Sequence, residues 1–93
     1  MGDVEMTVQI MPKEMEGFEQ LKHNIIDKMK NGTGGLVKGC NIGEREVAFG
    51  MKALIVKIII PDGEGGSDKI EEKLKEIENV STCDTTNLDR LGV

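Results

Sequence analysis

Between Met51 and Ile60 the chain reads MKALIVKIII, and past Lys52 each even position, Leu54, Val56, Ile58 and Ile60, is a large aliphatic residue. A period of two puts those four side chains on one face of a strand. The odd positions, Ala53, Ile55, Lys57 and Ile59, are nearly as apolar, so the strand belongs near the middle of a sheet with one face fully buried. Any fold for this chain must supply neighbours on both edges of that strand and a layer to cover its even face.

The other elements follow from the same kind of pattern. Val4, Met6, Val8 and Ile10 alternate with mostly polar residues over Val4 to Met11, a second half-buried strand that Pro12 ends, since proline has no ladder donor. Phe18, Leu21, Ile25 and Met29 recur at three and four, the stripe of an amphipathic helix. The glycine-rich NGTGG of residues 31–35 is expected to end it through a left-handed glycine cap. A short strand is expected over Leu36 to Ile42, followed by a polar connector, Gly43-Glu44-Arg45-Glu46. After the central strand, PDGEGG reads as a loop. A second helix then starts at Ser67 or Asp68, where Asp68 and Glu71 have capping-box spacing, carries Ile70, Leu74 and Ile77, and ends near Asn79. Val80 to Asn87 suits an edge strand.

The order is β-α-β-β-α-β, which predicts an α+β, ferredoxin-like domain over residues 1–93 with two helices on one face of a four-stranded antiparallel sheet. In that arrangement the first and third strands are central, and these carry the strongest apolar faces. Leu, Ile, Val and Phe supply 25 of the 93 residues, enough for one modest core. No apolar run has the length of a membrane span, and the N-terminus opens without a signal-peptide pattern, so a soluble cytoplasmic protein is expected.

That fold hosts many activities, so function must come from particular residues. The net charge of −5 argues against a sequence-independent nucleic-acid binder, which gains affinity by neutralising phosphates. With two aromatics, Phe18 and Phe49, there is no base-stacking platform. Cys40, Cys83 and His23 form no metal-ligand spacing, so neither a metal nor a cofactor is expected, and the cysteines read as two thiols on opposite sheet edges. Glu71, Glu72, Glu76 and Glu78 alternate with Lys69, Lys73 and Lys75, the pattern of a solvated helix face rather than of acid–base chemistry. The glycine loop before the second helix lacks the lysine of a phosphate-binding loop. Phe49 can either cover the end of the core or stand out as an anchor for a partner. The terminal Leu88-Asp89-Arg90-Leu91 reads either as a free tail or as a functional element.

GLVKGCNIGEREVAFGMKALIVKIII (residues 35–60), the opening GDVEMTVQIMP, the segment PDGEGGSDKIEEKLKEIENV and the tail with Arg90-Leu91 together resemble the exchange domain of the elongation factor 1-beta family. The resemblance covers nearly the whole chain, and the short length is similar to the archaeal type. It implies a non-enzymatic factor, monomeric when free, whose partner is elongation factor 1-alpha, the GTPase that delivers aminoacyl-tRNA. Such a factor loosens the partner's Mg²⁺ and phosphates, releases GDP, and leaves when GTP enters. By the same resemblance Phe49, followed by Gly50, matches an aromatic that enters a pocket of the partner, and Lys52 matches a basic position just beyond it. Arg90 before Leu91 matches a basic residue that disturbs the Mg²⁺ and phosphate region. Two departures stand out: Arg where eukaryotic relatives have Lys, and Gly92-Val93 beyond the leucine. A small RNA-binding module and a metabolite sensor are the alternatives on the same topology.

Overall fold

The computed structural model describes residues 2–47, 49–62 and 66–91. Six elements run in the order β1 (Asp3–Pro12), α1 (Phe18–Asn31), β2 (Gly39–Glu46), β3 (Lys52–Pro61), α2 (Gly66–Lys75) and β4 (Val80–Leu91). The sheet order is β2-β3-β1-β4 and each neighbouring pair is antiparallel. The two strands with the strongest aliphatic alternation are therefore central, as expected of a ferredoxin-like sheet. Cys40 and Cys83 lie on opposite edge strands and are both free thiols.

The register explains the core. Val4 stands opposite Ile60, Met6 opposite Ile58, Val8 opposite Val56 and Ile10 opposite Leu54, so the even faces of β1 and β3 form one continuous apolar surface. Phe18, Leu21, Ile25 and Met29 of α1, Ile70 and Leu74 of α2, Ile77 just past the end of α2, and Val80 and Cys83 of β4 complete the same buried cluster. One layer of helices on one face of one sheet is the economical way to bury these two stripes. Ile58 is completely enclosed, so Ile58→Val removes one methylene from a packed site. It should lower the free energy of unfolding by about 1 kcal/mol, read from the midpoint of a urea titration at constant slope.

Several expected boundaries move. The second strand is Gly39–Glu46, not Leu36 to Ile42, and the segment expected to be a polar connector is its outer half. The reason is position: β2 is an edge strand with mostly exposed side chains, so its pairing with β3 leaves little apolar signal in the sequence. Gly32, which caps α1, has φ −94° and is right-handed; the left-handed glycines are Gly34 and Gly35, further on. Helix α2 begins at Gly66, which places Ser67 and Asp68 inside its first turn, where Asp68 favours the positive end of the helix dipole. It ends at Lys75, and Asn79, with φ 73°, reverses the chain into β4. The Asn79 side chain accepts from the Glu14 amide at 3.1 Å and donates to the Glu14 carbonyl at 3.2 Å, tying that turn to the start of α1. The expected PDGEGG loop is shorter at both ends, since Pro61 closes β3 and Gly66 opens α2; its residues 63–65 and the Gly92-Val93 extension lie outside the described residues.

The largest revision concerns the C-terminus. β4 continues to Leu91, with Leu88 opposite Met6, Asp89 opposite Glu5, Arg90 opposite Val4 and Leu91 opposite Asp3. Ladder pairing with a central strand overrides the weak propensity of Asn87-Leu88-Asp89-Arg90, so the free-tail reading does not hold.

Candidate functional site at the two ends of the sheet

A hairpin joins β2 to β3, closed by the Val47 amide donating to the Met51 carbonyl at 3.0 Å. Phe49 and Gly50 at its tip have φ of 59° and 74°. Glycine adopts that conformation freely, whereas a bulky L-residue there is strained by about 1–2 kcal/mol. The Phe49 side chain is fully exposed, at 102% of its reference area. The ring therefore does not cover the end of the core but stands in solvent. A large apolar ring held in water on a strained turn is costly twice over, and such strain collects at functional sites. Val47 beside it is also exposed.

Lys52 opens β3 at the base of this hairpin. Its Nζ lies 3.5 Å from a Glu44 carboxylate oxygen, and the other Glu44 oxygen contacts Lys22 Nζ on α1. Lys22 also pairs with Glu19 at 3.1 Å and sits 5.3 Å from the centre of the Phe18 ring. Hydrogen bonding to Glu44 and then Glu19 raises the Lys22 pKa above 10.5, and the bond from Lys22 holds that of Glu44 below 4.5. The stability this network contributes is therefore complete above pH 4.5 on the carboxylate side and fades as pH falls through the lowered Glu44 value. On the lysine side it is complete below pH 10.5 and is lost as pH rises through the raised Lys22 value. The Tm difference between the parent and Glu44→Gln should be flat between these limits and should shrink below pH 4.5.

Arg90 lies at the other end of the molecule. Its side chain is 81% exposed, and Nε is 3.7 Å from an Asp62 carboxylate oxygen, a solvent-facing pair that contributes little to stability. Leu88, on the same side of β4, is also largely exposed at 53%. Arg90 pairs with Val4, and Val4 with Ile60, near the far end of β3 from Lys52. Counting along β3 at about 3.3 Å per residue puts Arg90 roughly 25–30 Å from the base of the hairpin. The long dimension of the molecule is 42 Å. The structure thus brings Phe49, Gly50 and Lys52 together and sets Arg90 and Leu91 apart from them.

Among the described residues no group of three or more His, Cys, Asp or Glu could hold a metal ion. Burial raises the pKa of the Cys40 thiol and pushes that of Cys83 up to about 11, so both stay protonated near neutrality. Glu71 accepts a hydrogen bond from the Thr85 hydroxyl on β4. Among the described residues no helix is long and apolar enough to cross a membrane. Sequence reasoning missed Glu44, whose position 22 residues beyond Lys22 leaves no local periodicity to read.

The model of the EF-1 guanine nucleotide exchange domain matches residues 5–91. Among curated proteins, the chain is 38% identical to "Elongation factor 1-beta" of Methanothermobacter thermautotrophicus over 98% of its length and 99% of that protein. It is 39% identical to the protein of that name from Sulfolobus acidocaldarius, covering 97% and 98% of the two chains. With the Thermoplasma acidophilum protein the identity is 34%, over 95% and 97%. Among solved structures, a de novo designed protein with ferredoxin fold is similar at 18% identity and a TM-score of 0.45, over 94% and 87% of the chains.

Proposed function

Because the chain belongs to the EF-1 guanine nucleotide exchange domain family, we propose that it promotes exchange of GDP for GTP on elongation factor 1-alpha during protein synthesis. It acts without a chemical step of its own, by binding the nucleotide-free GTPase better than the loaded one. The observation that carries this reading is Phe49, strained and fully exposed at a hairpin tip, where only a partner's pocket would repay its exposure.

Thermodynamic linkage sets the scale. If the factor weakens GDP binding by a given ratio, GDP must weaken binding of the factor by the same ratio. A ~10⁴-fold ratio corresponds to about 5.5 kcal/mol of differential contact. Burial of Phe49 supplies affinity, and the Arg90 cation, presented to the Mg²⁺ and phosphate region, supplies the antagonism to nucleotide. The separation of the two residues divides this labour. They cannot enter one small pocket together, so the partner must be engaged at two regions roughly 25–30 Å apart. Changes at the hairpin should then move the concentration of factor needed for half-maximal exchange. Changes at Arg90 should move the maximal rate.

The linkage itself is the test. The dissociation constant of the factor is measured for nucleotide-free and for GDP-loaded GTPase, and that of GDP with and without saturating factor. The two ratios should agree and should be far from one; equal affinity for the two GTPase forms would refute an exchange role.

A further inference from the structure

Glu44 lies two residues before the hairpin end of the edge strand β2, opposite Leu54 and so on the helix side of the sheet. Its two carboxylate oxygens are divided between two cations from different elements, Lys22 of α1 and Lys52 of β3. Lys22 is in turn held by Glu19 and lies over Phe18, a buried residue at the start of α1. The chain of contacts therefore runs from the core, through α1, to the ammonium group at the root of the hairpin that carries Phe49. As exposed ion pairs these contacts do little for global stability. Their effect is on order: Lys52 has four rotatable side-chain bonds, and a carboxylate already fixed by Lys22 restricts where its ammonium group can go.

We infer that Glu44 is a positioning residue, which sets Lys52 and the root of the β2–β3 hairpin in the conformation that meets the GTPase. The inference rests on the proposed exchange function and adds to it a residue that touches no partner atom itself. A long side chain that is ordered before association loses less freedom on binding, which is the general benefit of preorganisation. Glu44→Gln keeps the shape and removes the charge that holds both lysines. It should weaken binding to the nucleotide-free GTPase roughly three- to tenfold, the range expected for releasing one rotamer-rich side chain.

The experiment compares the parent, Glu44→Gln, Lys52→Ala and the double variant. Affinity for nucleotide-free GTPase, maximal GDP-release rate at saturating factor, and Tm are measured for each. The expected result is a weaker Glu44→Gln with an unchanged maximal rate, and a double variant no weaker than Lys52→Ala alone. An unchanged affinity in Glu44→Gln, beside a weakened Lys52→Ala, would overturn the positioning role and leave the exchange function standing. An equal loss from Glu44→Gln in the presence and absence of Lys52 would also overturn it, since the carboxylate would then act independently of the lysine. If Lys52→Ala binds as tightly as the parent, the root of the hairpin is no contact surface and the positioning role falls, whereas the exchange reading falls only if the parent itself accelerates no GDP release.

Discussion

Phe49→Ala should weaken binding to the nucleotide-free GTPase by at least ~2 kcal/mol, about thirtyfold, while the Tm of the free protein stays where it was. The combination is what matters. A core phenylalanine cut to alanine loses several kcal/mol of stability through the cavity it leaves, but Phe49 is fully exposed and leaves none. Binding is the only place its apolar area can be recovered. The strain at φ 59° allows a sharper version of the experiment. Phe49→Gly removes the left-handed penalty of about 1–2 kcal/mol and gives back about 0.4–1 kcal/mol through the freer unfolded chain. That variant should be as stable as the parent or up to about 1.5 kcal/mol more stable, and still lose the affinity. Affinity measured by calorimetry beside a urea melt separates the two quantities. A large fall in stability with intact binding would return Phe49 to the core.

Arg90→Ala should lower the maximal rate of GDP release tenfold or more, with only a small change in half-saturating concentration. On the proposed reading Arg90 acts at the partner's Mg²⁺ and phosphate region, and truncating one partner of a desolvated charge pair typically costs about 2–5 kcal/mol. Free in solution, Arg90 is mostly exposed and loosely paired with Asp62, so its removal leaves the fold intact. Arg90→Lys refines the result: if the guanidinium grips a phosphate with two parallel bonds, lysine restores only part of the rate, whereas a point charge suffices if the role is repulsion of Mg²⁺. Deleting the chain from Leu88 is the poorer experiment. It strips the partners of Asp3, Val4, Glu5 and Met6 from one edge of β1 and would lower stability along with exchange.

The core could be read from the sequence because burial on one face forces a period, and the stripes of β1, β3, α1 and α2 state that period without interruption. Ile55 and Ile59 kept the odd face of β3 ambiguous, yet its central position still followed. Edge strands escape this logic. In β2 only Cys40 and Ile42 pack against the core, so Gly43 to Glu46 look like a loop although they pair residue for residue with β3. In β4 the pairing of Asp89 and Arg90 with Glu5 and Val4 is a long-range contact that no local composition announces.

The candidate site was legible in part for the same reasons. An isolated phenylalanine before glycine drew notice in a chain with two aromatics, but its direction depends on a backbone angle at Phe49 that the residue type disfavours. Arg90 was singled out by resemblance, and its distance from Phe49 follows from strand register alone. The Glu44 link between Lys22 and Lys52 joins three elements and exists only once the sheet and α1 are assembled.

The most direct test of the account is a stopped-flow trace of a fluorescent GDP leaving purified archaeal elongation factor 1-alpha in excess unlabelled nucleotide. Adding substoichiometric amounts of this protein should accelerate release catalytically, with the rate rising to a plateau that Arg90→Ala lowers and Phe49→Ala reaches only at higher concentration. Identical release with and without the protein, across the full concentration range, would contradict it.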